Sequence, residues 1–353
     1  MDIYEYAETR KLSLRQVLDF TTGINPLGPS NQAKHAIRKG IRGLDLFPDR
    51  NMRYLKRYLC TLEGIGEDRI VFGAGSTSLL HLLLRVVRPR KVGVLSPVSF
   101  AREEALLVHD VEIRRVPVEG GRPFSVDMGR LLDAMGETDM LIVSYPHEMT
   151  GAVISPDDLT HLIGEAARLN KVLVIDEAYR DYTALRSPIR EAAESASALV
   201  LRTFSLYHAL PGLRFGYAAG SQRLIEGMKA ARPTGEVNGL APHAAMLSLK
   251  DSGFRARSLR FIEDEKSYVK GKLVGIKGVE PVETLCNFLL LALRVEEEEI
   301  HTAFMERNVL IDTFAGAQGE AYIRLPLGTH KANAVFMRTL RRAAKGLDHE
   351  TEG

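Results

Sequence analysis

Tryptophan is absent from this 353-residue chain, and cysteine occurs only twice, at Cys60 and Cys286. Two thiols far apart in the chain have no metal-ligand spacing and make no disulfide framework. They read as a reduced pair in a cytoplasmic protein. Net charge is nearly absent too: 47 basic and 45 acidic residues leave +2, which excludes the strong electrostatic pull of a nucleic-acid or membrane-surface binder. No apolar run approaches the ~18 residues of a membrane span. The N-terminus shows no basic-then-apolar signal region. There is no internal repeat and no low-complexity tract, and the basic cluster Arg85-Val-Val-Arg88-Pro-Arg90-Lys91 reads as a solvated helix end.

What is present is ordinary globular material, 45% apolar and 26% charged, and a chain of this length is expected to divide into two lobes. Apolar runs at Ile70–Phe72, Val92–Leu95, Met140–Ser144, Val172–Asp176, Leu199–Thr203 and Phe215–Ala219 read as buried strands. Amphipathic stretches at Thr77–Val87, Ala101–His109, Val126–Met135 and Pro156–Asn170 read as the helices between them. That alternation predicts an α/β fold with a mainly parallel sheet covered on both faces. Near Gly220 the texture turns helical, with Ser221–Arg232, Gly239–Lys250 and Phe254–Leu273. The runs Asn287–Leu293, Val309–Asp312 and Ala321–Arg324 then read as strands of a smaller α+β domain. The expected division is an N-terminal arm over 1–30 that packs with the small domain, a large domain over 31–222, and the small domain over 223–353.

Five segments carry polar groups where such a fold binds ligands. Gly73-Ala-Gly75-Ser76-Thr77 follows a strand and opens a helix, so its hydroxyls and backbone N–H groups either cap the helix or hold an anion. Asp176 ends the apolar run Val172-Leu-Val-Ile-Asp176, at the sheet edge where α/β proteins bind ligands, and Tyr179 follows three residues later. The Asp either caps a turn or partners a cationic ring nitrogen, and Tyr179 either packs or bonds a ring oxygen. In Thr203-Phe-Ser205-Leu206-Tyr-His208-Ala-Leu-Pro211-Gly-Leu-Arg214-Phe-Gly-Tyr217, two hydroxyls and a guanidinium fork suit a phosphate, although a surface ion pair would use the same arginine. Arg324, on a β-like run, is a candidate clamp for a substrate carboxylate. Asn25 sits in the turn-rich Gly23-Ile-Asn25-Pro-Leu-Gly-Pro29 and could lie over the same cleft.

Order and spacing together resemble the fold-type I pyridoxal-phosphate enzymes of the class I/II aminotransferase family, over about residues 3 to 345. The opening, Ile3-Tyr-Glu-Tyr-Ala followed by Val17-Leu-Asp-Phe-Thr-Thr-Gly-Ile-Asn25-Pro-Leu-Gly-Pro29, is most similar to the threonine-phosphate decarboxylases of cobalamin synthesis. Histidinol-phosphate aminotransferases come next. The resemblance implies a seven-stranded, mainly parallel sheet, a small α+β domain and a homodimer. It assigns Ser76, Thr77, Thr203 and Arg214 to the cofactor's phosphate, Asp176 to its pyridine nitrogen and Tyr179 to its ring oxygen, with Gly75 and Ser205 as further candidate cofactor-binding residues. Arg324 and Asn25 become substrate contacts.

Four cofactor positions depart from the family. Leu206 stands where the Schiff-base lysine belongs, and no lysine occurs between Lys171 and Lys229. Glu148, in Tyr145-Pro-His147-Glu148-Met-Thr-Gly151, replaces an asparagine that contacts the ring oxygen, and a carboxylate there repels a phenolate. Ser99 replaces the aromatic that stacks on the ring, unless Phe100 takes that role by a one-residue shift. Phe47-Pro-Asp49 keeps a Tyr-Pro-Asp turn without its hydroxyl. Leucine can neither hold a cofactor as an imine nor shuttle a proton, and losing such a group costs orders of magnitude in rate.

The leading expectation is therefore a lysine-less homologue that binds a phosphate- or carboxylate-bearing small molecule without normal turnover. Pyridoxal or pyridoxamine phosphate, if bound at all, is held non-covalently. An enzyme using non-covalent cofactor remains open, with His208 or His147 as base, as do a lysine supplied by a partner subunit and a non-catalytic dimer partner of an active relative.

Overall fold

Short β-rich runs bounded by helix starts become strands wherever both faces can be covered. The computed structural model describes residues 2–293, 297–316 and 320–350. Its strands in chain order are β1 (Leu18–Phe20), β2 (Ile70–Gly73), β3 (Lys91–Ser96), β4 (Glu112–Pro117), β5 (Met140–Ser144) and β6 (Val172–Asp176). They continue with β7 (Ala198–Thr203), β8 (Gly216–Gly220), β9 (Val279–Val282), β10 (Phe288–Leu293), β11 (Val309–Ala315) and β12 (Ala321–Pro326). The chain forms two compact units, one of residues 28–119 and 124–254, the other of residues up to 27, 120–123 and from 255 onward.

The first unit holds a seven-stranded sheet in the order β2-β8-β7-β6-β5-β3-β4. Pairings from β4 through β7 are parallel, and β8 runs antiparallel to both β7 and β2. It follows that β2 points the same way as β7, so six of the seven strands share one carboxyl edge. Period-two alternation splits the strand residues between two faces. Val92, Val94, Met140, Ile142, Val174, Leu199, Leu201 and Ala218 pack on one face with Leu79, Leu83, Leu224, Ile225 and Met228. Those last residues come from helices Ser76–Val87 and Gln222–Ala231. The alternate residues Leu141, Val143, Leu173, Ile175 and Val200 are equally buried, and helices Met128–Glu137, Pro156–Arg168 and Ile189–Glu194 pack against their strands. The double cover explains the uninterrupted apolar runs.

Two differences from the sequence expectation have physical causes. Strand β4, Glu-Ile-Arg-Arg-Val-Pro, is missing from the apolar runs because it is an edge strand whose side chains are mostly exposed, so its apolar content is too low to register. The unit boundary falls at Phe254 rather than near residue 222. Gln222–Ala231 lays Leu224, Ile225 and Met228 into the sheet core, and Ala241–Leu249 packs on helix Asn31–Gly40.

In the second unit the order is β1-β11-β12-β10-β9, parallel only at β1–β11. The N-terminal segment joins this sheet through Leu18, Asp19 and Phe20. Phe20 and Phe304 both meet Phe336, with ring centroids 5.0 and 4.9 Å apart, and these contacts anchor the terminal helix His330–Glu350. No described helix is long and apolar enough to cross a membrane.

Candidate functional site

The carboxyl edge of the seven-stranded sheet opens into a cavity of about 240 Å³ lined by Ser76, Thr77, Glu148, Asp176, Tyr179, Thr203, Ser205, Leu206 and Arg214, together with Ser99 and Arg102. Topology brings these residues together. Asp176 is the last residue of β6, Thr203 the last of β7, and Ser76 opens the helix after β2. Such an edge is where parallel α/β sheets receive ligands.

One end of the cavity is rich in donors. Gly75 precedes the helix with φ +98°, a conformation that costs glycine nothing. A Cβ there would lie 3.0 Å from Arg214 Nη2, so the bare glycine lets the guanidinium reach the helix N-terminus. Gly216 does the same for the opposing strand, since a Cβ on it would meet the Arg202 carbonyl at 2.5 Å and Ser76 N at 3.2 Å. The Ser205 N–H donates to Thr203 Oγ1 at 3.1 Å, which orients that hydroxyl and leaves its proton available. Hydroxyls, an arginine and a helix start together form an anion cradle. Gly75 acts as backbone clearance there, and Ser76, Thr77, Thr203, Ser205 and Arg214 supply the polar atoms.

The other end is built on a residue that motif reading passed over. Arg102, third residue of helix Phe100–Leu107, is only 6% exposed. Its Nη2 donates to Asp176 Oδ2 at 2.6 Å and to Glu148 Oε2 at 3.2 Å. Its Nη1 donates to Ser144 Oγ at 2.6 Å and lies 3.0 Å from Glu148 Oε1. The other Asp176 oxygen accepts the Ala178 N–H at 2.9 Å. Burial pushes the Asp176 carboxyl above its ordinary range, Arg102 opposes that rise, and the Glu148 charge adds to it. Burial also pushes Glu148 up, but Arg102, His147 and the Ser99 contacts outweigh it and hold that carboxyl below its ordinary range. The sequence signalled the need for a cation here without naming Arg102. Glu148 is a carboxylate in a segment destined for the interior, and a buried carboxylate demands a cation.

Phe100 is a correction. It is 79% exposed and does not line the cavity. Ser99 takes the N-cap position of the helix and faces the cavity, which turns the first helical residue outward. Neither histidine candidate lines the cavity. His147 is buried with Nδ1 2.8 Å from Thr150 Oγ1, and His208 Nδ1 lies 2.8 Å from Ser248 Oγ. Leu206 is in the lining, and no lysine is among the described lining residues.

The two expected substrate contacts belong to the other compact unit. Asn25 is buried, donates to Ser258 Oγ at 2.9 Å and accepts the Leu27 N–H at 3.1 Å, so it closes a turn. Arg324 is also buried. It donates to the Thr21 carbonyl at 3.3 Å, lies 3.6 Å from Asp312 Oδ2, and sits 4.6 Å above the Phe288 ring. Among the described residues there is no cluster of three or more His, Cys, Asp or Glu side chains that could hold a metal.

Residues 15–340 match the family Aminotransferase class I and II. The chain belongs to that family. Histidinol-phosphate aminotransferase from Moorella thermoacetica is 28% identical to it over 339 residues, which cover 94% of this chain and 86% of the relative. Histidinol-phosphate aminotransferase from Sinorhizobium meliloti, solved in complex with pyridoxal-5'-phosphate, superposes with a TM-score of 0.88 at 17% identity, covering 98% of this chain and 95% of that one. L-threonine-O-3-phosphate decarboxylase from Porphyromonas gingivalis gives 0.76 at 18% identity, covering 92% and 99%. The architecture of the family, a mostly parallel sheet in an α/β unit, is the one described above.

Proposed function

We propose that this family member binds a phosphate-bearing small molecule at the carboxyl edge of its large sheet, without the covalent turnover of a pyridoxal-phosphate aminotransferase. The observation that carries the reading is one cavity lined both by phosphate-type donors, Ser76, Thr77, Thr203, Ser205 and Arg214, and by an aliphatic side chain, Leu206. The donors favour a dianion strongly because the arginine fork and hydroxyls converge where water is partly excluded. Leu206 supplies no amine to hold an aldehyde and no base to move a proton. Pyridoxal phosphate therefore fits this lining at its phosphate alone.

Calorimetric titration with inorganic phosphate, alongside absorbance with pyridoxal phosphate, tests the reading. Phosphate should bind, Arg214→Ala should weaken it about tenfold or more, and no saturable imine absorbance should develop. Absence of phosphate binding, or a stoichiometric imine in the unmodified protein, would sink the reading.

We also infer that the chain pairs with a second copy. The segment around the Phe47-Pro-Asp49 turn leaves Leu44, Leu46, Phe47 and Tyr54 exposed, with Phe47 fully so, and clustered apolar exposure of this kind favours association. A sedimentation experiment should give a dimer that Phe47→Asp weakens. A monomer at all concentrations would remove the inference.

A further inference from the structure

We infer that Arg102 is the specificity-determining residue of this cavity: its guanidinium occupies the partner position on Asp176 that a cationic ring nitrogen requires, so the cavity accepts aliphatic phosphomonoesters and rejects phosphorylated pyridines. The inference rests on the reading that the Arg214 end holds a phosphate. It adds what lies at the opposite end.

Three observations support it. First, both Asp176 oxygens already hold a donor. Oδ1 takes the Ala178 N–H and Oδ2 takes Arg102 at 2.6 Å, so a ring cation would have to displace a cation already held by a charge-assisted bond. Second, Arg102 cannot easily swing away. Glu148 grips it through both carboxylate oxygens, and Ser144 Oγ accepts from it at 2.6 Å. These partners come from the loop after β5 and the end of β5 itself, so the planar fork is fixed from several directions. Releasing it would leave two buried carboxylates without the cation they share. Third, the lining offers little platform for a ring, since Tyr179 is the one aromatic among its described residues. Ser99 faces the cavity while Phe100 points to solvent. Besides Tyr179, the remaining wall is Leu80, Ala101, Ile142, Ala178, Leu201 and Leu206, a mostly aliphatic surface suited to a short carbon chain. Hydroxyls on such a chain can donate to the second lone pairs of Glu148 and Asp176 without disturbing the arginine.

Glycerol phosphate and pyridoxine phosphate discriminate the two classes. The second carries the ring and phosphate but no aldehyde, so surface lysines cannot capture it. In calorimetry the wild-type protein should bind glycerol phosphate at least as well as inorganic phosphate, and pyridoxine phosphate about tenfold more weakly or worse. The double variant Arg102→Gln/Glu148→Gln removes one charge of each sign and frees Asp176, and it should reverse the preference. The inference is overturned if wild type binds pyridoxine phosphate as tightly as glycerol phosphate, a measurement that needs no variant. It is also overturned if the double variant keeps the wild-type preference. If none of the three ligands binds, or if Arg214→Ala leaves their binding unchanged, the phosphate reading itself falls and takes this inference with it.

Discussion

Replacing Arg102 by methionine isolates the energetics of the buried charge cluster. The guanidinium is 6% exposed, and the Glu148 and Asp176 side chains that share it are 13% and 12% exposed. Deleting the shared cation keeps most of the side-chain volume but strands two carboxylates in a place that water barely reaches. Removing one partner of a single buried pair costs about 3–5 kcal/mol, and here one deletion unpairs two anions, so the upper part of that range is expected at about pH 7. The pH dependence gives the sharper test. In the wild type Glu148 is held below its ordinary range, so its stabilising contribution is present above that range and is lost as pH falls through the depressed value. In Arg102→Met the main depressing charge is gone and burial remains, so both carboxyls shift upward and the folded variant takes up protons readily. Its deficit relative to wild type should therefore shrink on going from about pH 7 to about pH 5. Adding Glu148→Gln and Asp176→Asn should recover most of the loss, because neutral groups of similar shape can be nearly isoenergetic with a buried ion cluster. Denaturant unfolding at the two pH values reads all of this. A variant within about 1 kcal/mol of wild type at neutral pH, the worth of an exposed pair, would refute the argument, as would a deficit that grows on acidification.

Other perturbations test neighbouring parts of the site. Gly75→Ala forces a side chain into φ +98° and places its Cβ 3.0 Å from Arg214 Nη2. It should cost about 1–3 kcal/mol in stability and weaken phosphate binding, and an unchanged phosphate affinity would show that Arg214 does not serve that end. Leu206→Lys returns an amine to the lining, yet with Arg102 still on Asp176 it should give only faint imine absorbance with pyridoxal phosphate. Adding Arg102→Gln and Glu148→Gln should strengthen the band, and a full band in the single variant would contradict the role given to the ion cluster. Both thiols should resist labelling in the native protein at neutral pH. Burial raises Cys60, and it pushes the fully buried Cys286 up to about 12 despite Arg324 and Lys266. Because the unfolded chain ionises first, the Cys286 contribution to stability should fall as pH climbs from the ordinary thiol range towards 12. Rapid labelling of folded protein would contradict this.

The strands that could be read in advance were those buried on both faces. Val172–Asp176 and Met140–Ser144 coincide with β6 and β5 because double burial leaves no polar interruption. β1, β4 and β9 escaped notice. They are short or lie at sheet edges, where exposure admits Asp, Glu, Arg and Pro. At the site, residues fixed to strand ends and helix starts were legible, since Asp176, Thr203 and Ser76 hold their places by topology. Arg102 was not. A basic residue in Ala-Arg-Glu-Glu on an amphipathic helix has the local signature of a solvated face, and only the three-dimensional approach of Glu148 and Asp176 reveals that it is buried. Phe100 was misplaced for a different reason: a one-residue shift of the family pattern set it at the ring-stacking position, while its place beside the N-cap Ser99 turns it to solvent.

The two borders of the large sheet close in different ways. At the β2 border all four residues are buried, and helix Gln222–Ala231 packs against the strand, so its free amides and carbonyls are sheltered by a helix. At the β4 border nothing comparable is needed. Arg115 pairs with Glu103, Arg114 with Glu137 and Lys91 with Glu112, so a foreign strand approaching that rim would have to strip water from a fence of ions before gaining any ladder bonds. The rim where a stray chain would otherwise dock is thereby guarded in the folded protein against strand-by-strand growth.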